Sequence, residues 1–121
     1  MLAHVSLEVA DLARSARFYD ALMARLGGRR MHESAAAIAY GRVDTDLWIV
    51  ARGRTPGPSF GHLGLEAAGR AAVDAAHASG LATGGTDAGA PAALPQYGRS
   101  YYAGYLLDPD GYRVELVSGA R

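Results

Sequence analysis

Apolar residues recur at helical spacing in two stretches of the chain. In the first stretch the apolar positions are Leu12, Ala16, Tyr19, Leu22 and Leu26. Asp11 is a suitable N-cap residue before them and Gly27 ends the run, so the pattern predicts a helix from Leu12 to Leu26. An alanine-rich stripe predicts a second, shorter helix from Arg70 to Ser79, ending at Gly80.

Short apolar or alternating runs predict strands around these helices. They lie near residues 3–9, 30–33, 36–40 and 47–51 in the first half, and near 61–67, 82–86, 101–107 and 113–117 in the second, where 82–86 is the weakest. Asp108, Pro109 and Gly111 stand where a type I turn prefers these residues, which predicts a turn between the last two strands. Each half therefore reads as one strand, one helix and three further strands.

The two halves begin with related sequences, each headed by a histidine. Residues 3–9 read AHVSLEV and residues 61–67 read GHLGLEA. Their last strands also match, LWIVARG at 47–53 with RVELVSG at 113–119, so Ile49 takes the place that Glu115 takes in the second half. We place the extra residues of the second half in the Gly/Ala/Pro-rich stretch 83–98. Such a repeat indicates two equivalent modules that present their histidines to one shared site.

This alignment offers four positions for metal ligands. Isoleucine cannot donate to a metal, so Ile49 drops out, and the candidate metal ligands are His4, His62 and Glu115. The three share one face of the predicted sheets, which is why a metal site is the first hypothesis.

Composition removes several classes of function. The 121 residues carry 12 basic and 12 acidic side chains, so no field of one sign attracts nucleic acid or an anionic membrane. All basic residues are arginines, which excludes Schiff-base and general-base lysines, and the absence of cysteine excludes thiolate sites. Polar residues near the N-terminus and the short apolar run 47–51 argue against a signal peptide and a membrane span. We expect a cytoplasmic protein.

A Pro/Gly-rich segment, residues 53–59, separates the halves and predicts an exposed crossing. We expect one domain over 1–121, with module one at about 1–53, a linker at about 54–60 and module two at about 61–121. Because the crossing is short, it favours modules that pair their sheets with another copy of the chain. Folding back onto one another in a monomer stays open as the alternative.

The doubled module, its two leading histidines and a glutamate in the last strand after Asp108–Pro109–Asp110–Gly111 resemble the vicinal oxygen chelate superfamily. That group contains glyoxalase I, extradiol dioxygenases, fosfomycin-resistance enzymes and bleomycin-resistance binding proteins. The resemblance covers nearly the whole chain. It implies an α+β fold of two βαβββ modules in an incomplete barrel, completed in a homodimer. It also places His4, His62 and Glu115 on the family's three metal-ligand positions.

This chain differs from individual members of the superfamily at particular residues, and these differences narrow which members it resembles. Glyoxalase I has a glutamate ligand where Ile49 stands, and an arginine where this chain has Glu8. The fosfomycin enzymes share the ligand set and a tyrosine ten residues before the last ligand, as Tyr105 is here, but they use a lysine. The last segment resembles the extradiol dioxygenases, whose upstream acid/base histidine is missing around Gln96–Gly98.

Further candidates lie on the same derived face. Glu8 and Glu66 share strand parity with the histidines and are candidate bases of raised pKa. Tyr105 is a candidate hydrogen-bond donor or proton carrier, opposite Val114 if the turn is plain and opposite Glu115 if it contains a bulge. The expected substrate contacts are Ser6, Tyr97, Tyr102 and Arg113.

Two functions from different classes follow. The first is a metal-dependent enzyme of lyase, isomerase or dioxygenase chemistry, with one divalent ion per site, Fe, Mn, Ni, Co or Zn, chelating oxygens of a small-molecule substrate. The second is a protein that sequesters an aromatic or cationic small molecule between subunits. Both expect a homodimer and no nucleic-acid or membrane partner.

Overall fold

The computed structural model describes residues 1–57 and 60–120. The chain forms two βαβββ modules, as the sequence predicts. The first contains β1 (Val5–Val9), α1 (Leu12–Leu26), β2 (Arg29–Glu33), β3 (Ala37–Gly41) and β4 (Leu47–Ala51). The second contains β5 (His62–Glu66), α2 (Arg70–Ala82), β6 (Thr86–Ala93), β7 (Tyr102–Leu107) and β8 (Arg113–Ser118). Pro58 and Ser59 of the expected linker lie outside the described residues.

Each module folds into a four-stranded sheet with the same strand order. The orders are β1-β4-β3-β2 and β5-β8-β7-β6. The first strand of each module pairs in parallel with the last, and the remaining pairs are antiparallel. Over the described residues the sheets do not share a strand pair or close into a barrel, so the α+β fold of two open modules is confirmed. Its completion in a homodimer stays a prediction.

Helix α1 has the predicted bounds because both of its ends are capped. The Asp11 carboxylate accepts a hydrogen bond from the Arg14 amide at 3.0 Å. At the other end Gly27 takes the left-handed conformation, with φ 77°. The apolar stripe between these caps packs into the core through Phe18, Tyr19 and Leu22, all 0% exposed.

Helix α2 runs past its predicted end at Gly80 to Ala82. Gly80 is a contact point inside the helix rather than a terminator. A Cβ atom there would lie 2.4 Å from Leu106 Cδ1 and 3.2 Å from atoms of Leu22 and Phe18. The missing side chain therefore lets α2 approach both β7 and α1.

The weak strand predicted near 82–86 is wrong in position, since β6 occupies Thr86–Ala93. It is an edge strand and pairs with β7 through two register shifts. An edge strand tolerates Pro91, whose missing N–H would break a ladder in the middle of a sheet. The helix extends into the region where the strand was expected.

The β7–β8 turn contains the bulge that the sequence left open. The Gly111 amide donates to the Asp108 carbonyl at 2.9 Å, and the Asp108 amide donates to the Tyr112 carbonyl at 2.8 Å. Gly111 has φ 92°, the conformation that a G1 bulge requires. The resulting register sets Tyr105 opposite Glu115.

The same turn joins the two modules. The Tyr19 hydroxyl of α1 donates to Asp108 Oδ2 at 2.6 Å in the buried interior. Asp110 accepts hydrogen bonds from Ser15 and Arg14 at the start of α1. Burial raises the pKa of the Asp108 carboxyl above its ordinary value. Turn and helix thus fix module two against module one.

Within the described residues, neither helix is long and apolar enough to cross a membrane.

Candidate functional site

The candidate site lies on the open face of the second sheet, around Glu115 in β8. The Glu115 side chain is 5% exposed, and its Oε1 lies 3.1 Å from Nε2 of His62, whose side chain is 50% exposed. Gly64, the residue of β5 opposite Glu115, leaves room above the sheet, since a Cβ there would lie 3.7 Å from Glu115 Oε1. The sheet therefore brings together a buried carboxylate and an accessible imidazole, as the sequence predicts.

Two tyrosines hold the other carboxylate oxygen. The Tyr101 hydroxyl donates to Glu115 Oε2 at 2.5 Å, and the Tyr105 hydroxyl donates to the same atom at 3.2 Å. The hydrogen bond to Glu115 raises the pKa of Tyr101 to about 12. Burial, and then the charge of Glu115, raises the pKa of Tyr105. Both hydroxyls are therefore protonated donors at neutral pH.

Tyr101 is a site residue that sequence reasoning missed in favour of its neighbour Tyr102. The Tyr102 hydroxyl donates to Asp74 of α2 at 2.7 Å, and the Arg70 guanidinium lies 4.9 Å from the Tyr102 ring centre. Tyr102 thus lies on the helix side of the sheet, and its expected contact with substrate at this site is wrong. The signal that identifies Tyr101 is its strand parity, because it lies four residues before Tyr105.

Arg113 and Tyr97 lie at the rim of this site. The Arg113 guanidinium is 4.7 Å from the centre of the Tyr105 ring. Tyr97 is 66% exposed, and its ring centre lies 5.5 Å from that of Tyr101. Both are placed where an incoming molecule would meet them, and their role as substrate contacts stays a prediction.

The structure corrects the expected equivalence of Ile49 with Glu115. The residue of the first module that corresponds to Glu115 lies one position earlier in the strand. Glu115 lies between Gly64 of β5 and Tyr105 of β7, whereas in the first sheet Trp48 lies between Ser6 of β1 and Ala39 of β3. Trp48 is therefore the equivalent of Glu115. Ile49 is 0% exposed in the core beneath the helices.

His4 lies away from His62 within one chain. It precedes β1 and lines a cavity of about 430 Å³ together with Gly64 and Glu66. Among the residues that the structure describes, no three His, Asp or Glu side chains come close enough to hold a metal. One chain thus brings together two of the three predicted ligands, His62 and Glu115.

The strand directions explain this separation. The end of β1 meets the second module near the start of β5, since the Tyr112 hydroxyl donates to the Glu8 carbonyl at 2.8 Å. The end of β5 meets the first module near the start of β1, where Arg42 donates to the Glu66 carbonyl at 2.7 Å. The two strands run in opposite directions. His4 and His62 therefore lie at opposite ends of the module boundary.

The two candidate bases on the first strands are ion-paired. Glu8 accepts hydrogen bonds from Arg54 at 2.5 and 2.9 Å and from Arg52 at 3.4 Å. The Arg54 guanidinium lowers the pKa of Glu8, so its expected rise is wrong. Glu66 is 51% exposed and lies 3.7 Å from Arg42. Neither carboxylate joins His62 and Glu115 in this chain.

The open face of the first sheet carries different chemistry. Ser6 is exposed, and it precedes Trp48, Ala39 and His32 in a row across the strands. The ring centres of His32 and Trp48 lie 5.3 Å apart. Ser6 therefore lies on an open sheet face as predicted, but on the module opposite to the Glu115 cluster.

The His62–Glu115 distance is that of a direct hydrogen bond, and it also suits two ligands of one divalent metal. Two ligands at about 2.1 Å from one ion and at right angles to each other are about 3.0 Å apart. The observed N–O distance is 3.1 Å. Imidazole nitrogen and carboxylate oxygen are both ordinary ligands of Fe, Mn, Ni, Co and Zn, so the donor chemistry fits as well.

Comparison with known families agrees with this architecture. The family model described as the Glyoxalase/Bleomycin resistance protein/Dioxygenase superfamily matches residues 1–116. The chain belongs to this superfamily. The description of the superfamily names enzymes and resistance proteins together, so membership leaves the reaction open.

Solved structures of the superfamily's fold match over nearly the whole chain. A glyoxalase/bleomycin resistance protein from Albidiferax ferrireducens T118 is 31% identical, with a TM-score of 0.85 and 98% of each chain covered. A glyoxalase/bleomycin resistance protein/dioxygenase family enzyme from Burkholderia phytofirmans PsJN is 19% identical, with a TM-score of 0.75 and 96% of each chain covered.

Glyoxalase I from Zea mays is a longer relative in fold. It is 23% identical with a TM-score of 0.74, and the match covers 97% of this chain and 45% of the maize chain. At this identity the likeness shows the fold alone. A search of curated proteins finds no match.

Proposed function

We propose that this chain is a metal-dependent enzyme of the glyoxalase/dioxygenase type that acts on a small molecule. One divalent ion is held by His62 and Glu115, and His4 of a second copy completes the ligand set in a homodimer. The observation that carries the proposal is the 3.1 Å approach of His62 Nε2 to the buried Glu115 carboxylate on an open sheet face. Fe, Mn, Ni, Co and Zn all suit these ligands.

The side chains of the second sheet have different roles in this proposal. Three protein ligands leave coordination positions open, and a bound ion there supplies a Lewis acid for two adjacent substrate oxygens. Tyr105 holds a proton on its hydroxyl 3.2 Å from Glu115 and can donate a hydrogen bond to an oxygen that gains charge. Arg113, stacked on the Tyr105 ring, favours a substrate that carries negative charge.

The direction of the strands supports the proposal of a second copy. Within one chain His4 and His62 lie at opposite ends of the module boundary, yet each lies on an exposed part of its module. A two-fold related chain can set its first module against the second module of this one, as isologous dimers do. The Glu8–Arg54 and Glu66–Arg42 pairs then lie at the module edges, outside the proposed ligand set. The cytoplasmic location stays a prediction.

Elemental analysis of protein purified without chelator tests the metal site. We expect about one divalent ion per chain in the wild type, and a loss of metal in His62→Ala and Glu115→Ala, since each removes a ligand. His77→Gln is the matched control, because His77 lies on α2, where its Nε2 contacts Asp87 and the Tyr105 carbonyl rather than the open sheet faces. Stoichiometric metal in a His62→Ala, Glu115→Ala double variant would show that the ligands are elsewhere.

Mixing two defective variants tests the shared site. His4→Ala chains and Glu115→Ala chains each lack one ligand, but a heterodimer of the two contains one intact site. Refolding an equal mixture should therefore restore part of the metal that either variant alone has lost. A monomer at micromolar concentration, measured by analytical ultracentrifugation, would refute sharing.

A binding protein without turnover is the second candidate. The observation that favours it is the exposed aromatic rim, where Tyr97 stands 66% exposed beside Tyr101. Such rims bind planar or cationic molecules without chemistry. If chelator-treated protein binds a small aromatic probe as tightly as metal-loaded protein does, and Tyr97→Ala abolishes that binding, the second function is favoured over the first.

A further inference from the structure

The two oxygens of Glu115 have different partners. Oε1 lies against His62, the other candidate ligand, whereas Oε2 accepts hydrogen bonds from Tyr101 and Tyr105. The Tyr101 contact is the shorter, at 2.5 Å against 3.2 Å for Tyr105. A charged acceptor makes hydrogen bonds of this kind stronger than those between neutral groups. One oxygen is therefore engaged by hydroxyls and the other is presented to the imidazole.

The backbone holds Tyr101 firmly in place for this contact. Its amide donates to the Gly98 carbonyl at 3.2 Å, and its carbonyl accepts from the Leu94 amide at 2.9 Å. Behind it, a Cβ atom on Gly119 would lie 2.1 Å from the Ser100 carbonyl oxygen, so the end of β8 packs directly against this segment. These contacts position the Tyr101 backbone next to the end of β8.

Tyr105 is held less tightly to Glu115. Its ring also contacts the Arg113 guanidinium at 4.7 Å, and its hydroxyl lies at the far end of the hydrogen-bonding range from Oε2. Tyr105 can therefore turn its hydroxyl towards a substrate while Tyr101 still holds the Glu115 carboxylate.

We propose that Tyr101 is a positioning residue of the metal site: it anchors Glu115 Oε2 so that Oε1 alone is presented beside His62. The inference rests on the proposed metal function and assigns to Tyr101 a role distinct from that of Tyr105. Groups that orient a metal ligand typically change metal affinity by about 10–100-fold when removed.

Metal affinity of the Tyr101→Phe variant tests the role. The variant keeps the ring and its packing on Tyr97 but removes the hydroxyl. We expect Co²⁺ affinity, measured by competition with a chromophoric chelator, to fall about tenfold or more. The visible absorption of the bound Co²⁺ should also change, because without the Tyr101 hydroxyl the Glu115 carboxylate is free to take another orientation. Tyr105→Phe should lower affinity less than Tyr101→Phe does.

Tyr102→Phe is the matched control, since it removes a tyrosine hydroxyl from the adjacent residue on the helix side of the sheet. It should leave both affinity and spectrum at wild-type values. If Tyr101→Phe binds Co²⁺ like the wild type with an unchanged spectrum, or if Tyr105→Phe has the larger effect, the positioning role is overturned while the metal site stands. If the wild type binds no Co²⁺, both the metal function and the inference fail.

Discussion

Glutamate substitutions at Ile49 and Trp48 separate the register seen in the structure from the one that the sequence alignment predicts. The alignment equates Ile49 with Glu115 and expects Ile49→Glu to add a metal ligand at modest cost. The structure places Ile49 in the core at 0% exposure and gives the equivalent position to Trp48. The two variants should therefore behave in opposite ways.

The cost of Ile49→Glu can be worked from its burial. Loss of a buried isoleucine side chain costs about 2–5 kcal/mol, and an unpaired carboxylate in an apolar layer adds several kcal/mol more. The sum, about 5 kcal/mol or more, is comparable to the whole stability of a small domain, about 5–15 kcal/mol. Urea unfolding followed by circular dichroism should find Ile49→Glu largely unfolded or lowered in midpoint by most of the wild-type value.

Trp48→Glu removes a partly buried side chain from an open face, where its ring contacts His32 at 5.3 Å. A typical point substitution costs about 1 kcal/mol, and Trp48 is only partly buried, so the variant should stay folded. In the proposed dimer its carboxylate takes the position related to Glu115 and should raise metal affinity about tenfold or more, since a direct ligand contributes at least as much as an orienting group.

Trp48→Gln is the control, because glutamine has the shape of glutamate without its charge. This variant should leave metal affinity near the wild-type value. The reasoning is refuted if Ile49→Glu folds normally and binds metal more tightly while Trp48→Glu does not. That result would mean that Ile49, and not Trp48, lies on the open face of the first sheet.

Four further outcomes follow from the geometry. Tyr19→Phe removes the 2.6 Å hydrogen bond that joins the modules and should lower the free energy of unfolding by about 2 kcal/mol in urea titration. Gly80→Ala places a Cβ 2.4 Å from a Leu106 methyl and should cost about 1–3 kcal/mol, with a lower Tm as the readout. Arg54 lowers the pKa of Glu8 from 4.5, so this pair stabilises the fold above that pH and its contribution is lost as the pH falls through the lowered value; Arg54→Gln should return the Glu8 pKa towards 4.5 in an NMR titration. Trp48 is the single tryptophan, so Co²⁺ bound at the shared site should quench its fluorescence, and full Co²⁺ occupancy with unchanged fluorescence would place Trp48 away from the metal.

Local signals predicted the parts of the fold that depend on local chemistry. The bounds of α1 are correct because Asp11 and Gly27 form caps whose geometry is written in the residues themselves. The end of α2 and the position of β6 were missed because Gly80 serves a contact with β7 and α1, and such a contact is invisible before the elements pack. The pairing of His62 with Glu115 was predictable because both lie on one open face of the second sheet.

The error at Ile49 has the opposite origin. Matching Gly53 with Gly119 aligned the loops after two strands rather than the strands, and the loops differ by one residue relative to the sheet register. A shift of one residue exchanges the two faces of a strand, so a small error in alignment moved a core side chain to the metal side. Tyr102 was chosen instead of Tyr101 because strand parity was not applied there, although adjacent residues in a strand face opposite ways.

The two modules of the repeat therefore share one backbone arrangement, but the side chains on their open faces differ. On the second sheet the central row holds Glu115 and Tyr105, whereas the related row on the first sheet holds Trp48 and Ala39. A site built between two unlike sheets would receive two ligands from one sheet and, besides His4, an aromatic wall from the other. Because Trp48 supplies no fourth ligand, such a site would keep more of the metal's coordination positions for substrate than a symmetric pair of carboxylates would.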